Sequence, residues 1–183
     1  MSSHSERPRS PIGTAGRRRY EYVGDPAIRK AVRPGSEGRL IGSGGDFGDW
    51  AREQSPGELA EPFTYVVDES GSLRLAPRRS EHVACAGRGR VLGAGEIAFV
   101  HRGGGWAVET VSNQSTGYCP APESWAAVAD ALDRAGLTRP EGFTHEVVFR
   151  RCTGCEQVNV VRDEYFVCVF CDADLPRRWN VSA

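Results

Sequence analysis

Lysine is nearly missing from this chain: Lys30 is the only one, so 22 of the 23 basic residues are arginine. Together with abundant alanine and glycine, this composition points to a GC-rich bacterial genome of actinobacterial type. Long apolar runs are missing as well. No stretch reaches the ~18 apolar residues that a transmembrane helix needs. The opening residues, M-S-S-H-S-E-R-P-R-S-P, lack the apolar core of a signal peptide. No membrane partner is therefore expected, and the cytoplasm is the expected location. A surplus of either charge is also lacking. The net charge of -1 sets up no global field toward nucleic acid or an anionic surface, so any such role has to be local. Finally, the glycines of G-S-G-G-D-F-G-D-W, before Trp50, fit neither a P-loop nor a dinucleotide fingerprint, which leaves a plain turn.

What the chain does have is six cysteines, four of them paired. Cys152 and Cys155 form one C-x-x-C, Cys168 and Cys171 a second, and twelve residues separate the two. Such turns each aim two sulfurs at the same point, ~2.3 Å from a tetrahedral ion, and this spacing spells a zinc ribbon. Four thiolates leave no position for water, so zinc here is expected to be structural. Disulfides are not expected in a reducing compartment. Cys85 and Cys119 remain outside the set.

At 183 residues the chain has room for one ordinary domain with a small appendage. Residues 1–38, rich in Ser, Pro, Gly and Arg with Arg17, Arg18 and Arg19 in a row, show no apolar periodicity and read as a disordered tail. Residues 39–150 read as an α+β domain, 151–176 as the ribbon and 177–183 as a short tail. Phe47, Trp50 and Ala51 share one face of a short helix. Phe63–Val67 and Leu73–Ala76 flank D-E-S-G-S as a hairpin, and Val91–Val100 with Trp106–Val111 make another. The clearest helix is Pro122–Gly136, with Trp125, Val128, Ala129 and Leu132 as its buried stripe and Gly136 as its cap. Phe143–Arg150 reads as a last strand leading into the ribbon. The fold class is thus α+β: a mostly antiparallel sheet with one main helix and a C-terminal zinc ribbon.

Polar residues gather in two segments, R-R-S-E-H-V-A-C (Arg78–Cys85) and V-S-N-Q-S-T-G-Y-C-P (Val111–Pro120), at the ends of the two hairpins. His82 is the candidate general base. Cys119 is the candidate nucleophile, lying just before a helix start, with Asn113 or Glu96 to orient the base and Tyr118 as an alternative partner. Asn113, Gln114, Ser115 and Glu96 are candidate ligand-binding groups. The same residue types also suit a loop that satisfies its own backbone through Asx and Ser/Thr turns, and a histidine that ties a loop to a carbonyl.

The C-terminal part, from R-R-S-E-H-V-A-C through S-N-Q-S-T-G-Y-C-P-A-P-E-S-W to the ribbon, resembles a family of actinobacterial zinc-ribbon proteins with no established activity. Over residues 82–137, His82, Ala94-Gly95, Val111, Ser112, Ser115, Tyr118, Pro120 and a helix ending in A-G-L are similar to the plant IQ-motif calmodulin-binding family, which carries S-G-H-Y-x-P. Thr116 and Gly117 replace that family's G-H, so its second histidine is absent, and no IQ motif is present to carry calmodulin binding over. The resemblance implies that His82, Gly95, Ser115 and Tyr118 share one pocket or fold-determining core. The order of His82, Gly95-Glu96 and Ser115-x-x-Tyr118 is also superficially similar to that of NAD-using ADP-ribosyltransferases.

Three functions follow, in this order. The first is a module, with structural zinc, that binds a protein or a small polar ligand. The second is a transferase or hydrolase using His82 with Cys119 or Tyr118. The third is nucleic-acid binding through the ribbon and the arginine tail.

Overall fold

Alternating β-branched and aromatic residues build the sheet. The first hairpin is β2 (Phe63–Asp68) and β3 (Leu73–Ala76). Its turn closes on the Asp68 carboxylate, which accepts the Ser70 and Ser72 N–H groups and the Arg74 guanidinium at 3.0 Å. The second is β4 (Val91–Arg102) and β5 (Gly105–Val111). A short strand without a periodic signal, β1 (Arg39–Ile41), adds to β3, giving the antiparallel order β1-β3-β2-β4-β5. The computed structural model describes residues 16–182.

Successive strand residues point to opposite faces, and here both faces are covered. Tyr65, Val67, Leu75, Ile97 and Phe99 face a layer made by α2 (Gly44–Glu53) and α5 (Trp125–Arg134). Ser43 caps α2 by accepting the Asp46 N–H, and the helix inserts Phe47 and Trp50 edge-on against Phe99 and Phe63, with centroids 4.8 and 4.7 Å apart. A single 3-10 turn, Pro122–Ser124, leads into α5. Gly136, at φ +67°, ends α5 in the left-handed conformation that glycine takes without strain. Val128, Ala129 and Leu132 are buried as the stripe requires, with Trp125 half-buried beside Phe143.

The opposite face, carrying Val66 and Ala94, overturns part of the tail expectation. Tyr20 exchanges two backbone hydrogen bonds with Val91, at 2.8 and 3.1 Å, and is buried. Asp25 then caps α1 (Pro26–Ala31), and Val32 is buried beyond it. Tyr20 to Val32, assigned to the tail, are therefore part of the fold. This segment's composition offers few apolar residues, but the sheet's second face needs cover, and Tyr20 and Val32 supply it together with α4 (His82–Cys85), Tyr118 and Ala121. Residues 1–15 of the expected tail lie outside the described residues. The remaining helix, α3 (Pro56–Leu59), starts from a capping box between Ser55 and Glu58.

The expected strand at Phe143–Arg150 is split in two. His145 bridges Ser112 at the end of β5, whereas β6 (Val148–Arg151) pairs only with β7 (Val158–Val161) in a separate two-stranded sheet. Asn113 causes the break. Its amide is bonded to both the N–H and the carbonyl of Val147, which satisfies that backbone and releases the next residues to the ribbon. Residues 177–182 fold back as well. Trp179 donates to the Cys119 carbonyl, the Asn180 amide pairs with the backbone of Arg151, and Val181 is buried. Among the described residues, no helix is long and apolar enough to cross a membrane.

Candidate metal centre

Each C-x-x-C lies in a tight turn, and the two turns repeat one another. The residue after each pair, Glu156 or Asp172, has positive φ and donates its N–H back to the first cysteine's carbonyl at 3.0 Å. The first cysteine donates in turn to Gln157 or Ala173, which closes the loop. The turns face one another across β6 and β7. As a result all four sulfurs lie within 4.8 Å of each other, with Cys152–Cys171 and Cys155–Cys168 at 3.6 Å. A tetrahedron with ~2.3 Å metal–sulfur bonds has edges of ~3.8 Å, so a metal ion fits this set.

Backbone donors are already aimed at the sulfurs. The N–H groups of Cys155 and Gly154 hold the Cys152 thiol below its ordinary value, the latter at 3.3 Å. At Cys168 desolvation pushes the other way, but the N–H groups of Phe170 and Cys171 and the Asn159 amide outweigh it and lower the thiol to about 6. Asn159 is buried. Its Nδ2 reaches Cys168 Sγ at 3.5 Å, and its Oδ1 accepts the Val169 N–H at 3.0 Å. Nothing in the sequence singles this residue out, because a lone asparagine on a strand carries no motif.

The other candidate residues are held by the fold. His82, half-buried at the start of α4, bonds through Nε2 to the Gly95 carbonyl at 3.0 Å, and burial lowers its pKa. Tyr118 donates to the Gly89 carbonyl at 2.6 Å. Cys119 points its thiol at the Thr116 carbonyl, and burial pushes that thiol up to about 12. No hydrogen bond joins His82, Tyr118 and Cys119 to one another among the described residues. Asn113 is fully buried and spends Nδ2 on the Pro120 and Val147 carbonyls. Ser115 closes a turn by accepting the Tyr118 N–H, while the N–H groups of Glu96 and Gln114 share the Ser112 hydroxyl. Of these residues, Gln114 alone lines the cleft of about 530 Å³ between the polar loop and the ribbon, beside Thr116, His145 and Arg162.

Comparison with protein-family models, curated proteins and solved structures finds no match to this chain.

Proposed function

We propose that the four cysteines hold one structural zinc ion and that the ribbon it staples is an interaction module. The observation that carries this reading is where apolar surface is left exposed. Among the described residues, four of the five exposed large hydrophobic side chains, Val160, Tyr165, Val169 and Phe170, belong to the ribbon. A 26-residue segment has no core large enough to order itself, and a closed Cys₄ ion supplies the missing folding energy. Val169 and Phe170, the two residues inside the second C-x-x-C, are 74% and 62% exposed, so the metal holds them toward solvent rather than in a core. Apolar side chains left exposed within one small module are the kind of surface that interaction sites use. The cleft beside Gln114 is the place for a small polar ligand at the root of the same module. Free thiolate ligands accord with a reducing compartment, the cytoplasm.

The test is native mass spectrometry of full-length protein purified without added metal, paired with alkylation. One zinc per chain is expected, with no thiol reacting until a chelator is added and only the four ribbon thiols reacting afterwards. Iron in place of zinc, or ribbon thiols that react without chelator, would overturn the reading.

A further inference from the structure

The exposed apolar groups of the ribbon are set in an unusual charge environment. The ribbon, residues 151–176, contains five carboxylates, Glu156, Asp163, Glu164, Asp172 and Asp174, against Arg151 and Arg162, a net -3 in a chain whose total is -1. All five acids are exposed, and none forms an ion pair among the described residues. Elsewhere, Glu53, Asp68, Glu69 and Asp133 each have an arginine partner. The cations at the ribbon's base are engaged by other groups: Arg150 and Arg177 stack on Phe166 at 5.6 and 4.3 Å, and Arg151 donates to the Glu156 main-chain carbonyl at 3.1 Å. Arg150 also donates to the carbonyls of Phe149, Pro176 and Arg177, so it is occupied in holding the base together. Four thiolates on one dication would add further negative charge.

From this we infer that the ribbon docks a basic protein segment carrying apolar side chains, an inference that rests on the interaction-module reading. Tyr165, Val169 and Phe170 supply the desolvated contacts, and the acids around them supply complementary charge, which steers encounter and excludes acidic partners. Asn159 anchors the surface. By bonding both Cys168 and Val169, it ties the exposed tip of the second turn to β7, so the apolar residues are presented on a preorganised support. The same field repels phosphate, which separates this surface from one that reads nucleic acid.

The experiment uses zinc-loaded full-length protein and a fluorescent 12-residue peptide alternating arginine with leucine and phenylalanine. Two control peptides replace the arginines by glutamate or the apolar residues by serine. Anisotropy should show binding of the first peptide, at least tenfold weaker binding of each control, and weakening with added salt. Val169→Ser with Phe170→Ser, and separately Asp163→Asn with Glu164→Gln and Asp174→Asn, should each lose tenfold or more while keeping one zinc per chain. Asp49→Asn with Glu53→Gln, acids outside the ribbon, should leave binding unchanged. Equal binding of the glutamate peptide, or full binding by the ribbon variants, would overturn the inference. So would preferential binding of a single-stranded oligonucleotide, or a stable dimer that Val169→Ser with Phe170→Ser dissociates. One zinc without peptide binding overturns the basic partner and leaves the structural-zinc module standing, whereas a chain without zinc overturns both.

Discussion

At the scale of single residues, the metal centre depends on an amide as well as on thiols. Asn159 satisfies one sulfur, one carbonyl and one N–H, at 3.5, 3.0 and 3.0 Å. Removing it leaves Cys168 with backbone donors only and frees the loop that carries Val169. Groups in this position typically govern metal affinity by ~10–100-fold. Asn159→Ala is accordingly expected to keep the fold of the body and to weaken the ribbon's metal affinity by about that factor. Competition with a chromophoric chelator reads it directly, and unchanged affinity would deny Asn159 this role. The four cysteines were legible in the sequence because their spacing is local and chemically specific. Asn159 and Asn113 were not recognisable as supports, since what makes them important is the backbone that tertiary packing brings to them.

At the scale of elements, the crossing of β4 onto the end of β5 sets how the polar loop is built. A Cβ on Gly95 would lie 2.0 Å from the Ser112 carbonyl oxygen, a backbone atom that cannot move away. That oxygen also accepts the buried Tyr65 hydroxyl at 2.8 Å, and the Ser112 N–H donates to the Glu96 carbonyl at 2.9 Å. Gly95→Ala must therefore separate the strands and disturb the His82 contact, at an expected cost of ~1–3 kcal/mol. Gly48, inside α2, has no atom within 4 Å of its would-be Cβ. Gly48→Ala should stabilise the protein by up to about 1 kcal/mol. Urea midpoints of the pair, moving in opposite directions, check both. The hairpins and α5 were apparent from periodicity alone. The split of residues 143–150 between two sheets was not, because it is decided by Asn113 competing for the backbone of Val147.

At the scale of the whole molecule, buried titratable groups set a pH window. Desolvation lowers the pKa of His82 against the opposing pull of the Gly95 carbonyl, Glu96 and Glu81. Below about pH 6.5 the unfolded chain takes up this proton before the folded one does, so stability falls as pH falls. His82→Gln should flatten that acid limb. Cys85 and Cys119 behave in the opposite sense. Both thiols are raised to about 12 by burial, so above about pH 8.5 only the unfolded chain ionises and stability falls as pH rises. Unfolding midpoints measured from pH 5.5 to 10 should trace a dome, and a flat profile would contradict both assignments.

The ribbon has its own small cluster around Cys152, Val161, Cys168 and Leu175, separate from the two clusters that flank the five-stranded sheet. Chelation should therefore abolish hydrogen-exchange protection in β6 and β7 while leaving β2 and β4 protected. Uniform loss across the chain would show that the ribbon is integral to the main core.

The sequence by itself determined the α+β class, the two hairpins, the main helix and the four clustered thiols, because each rests on short-range periodicity or spacing. Tertiary structure alone decided that residues 20–32 join the fold, that His82, Tyr118 and Cys119 are each tied to a separate main-chain carbonyl, and that Tyr165, Val169, Phe170 and the ribbon's acids stand in solvent. The physical reason is the same in each case. Cover for a sheet face, satisfaction of a buried carbonyl and exposure of a side chain depend on residues distant in the chain, which local pattern does not encode.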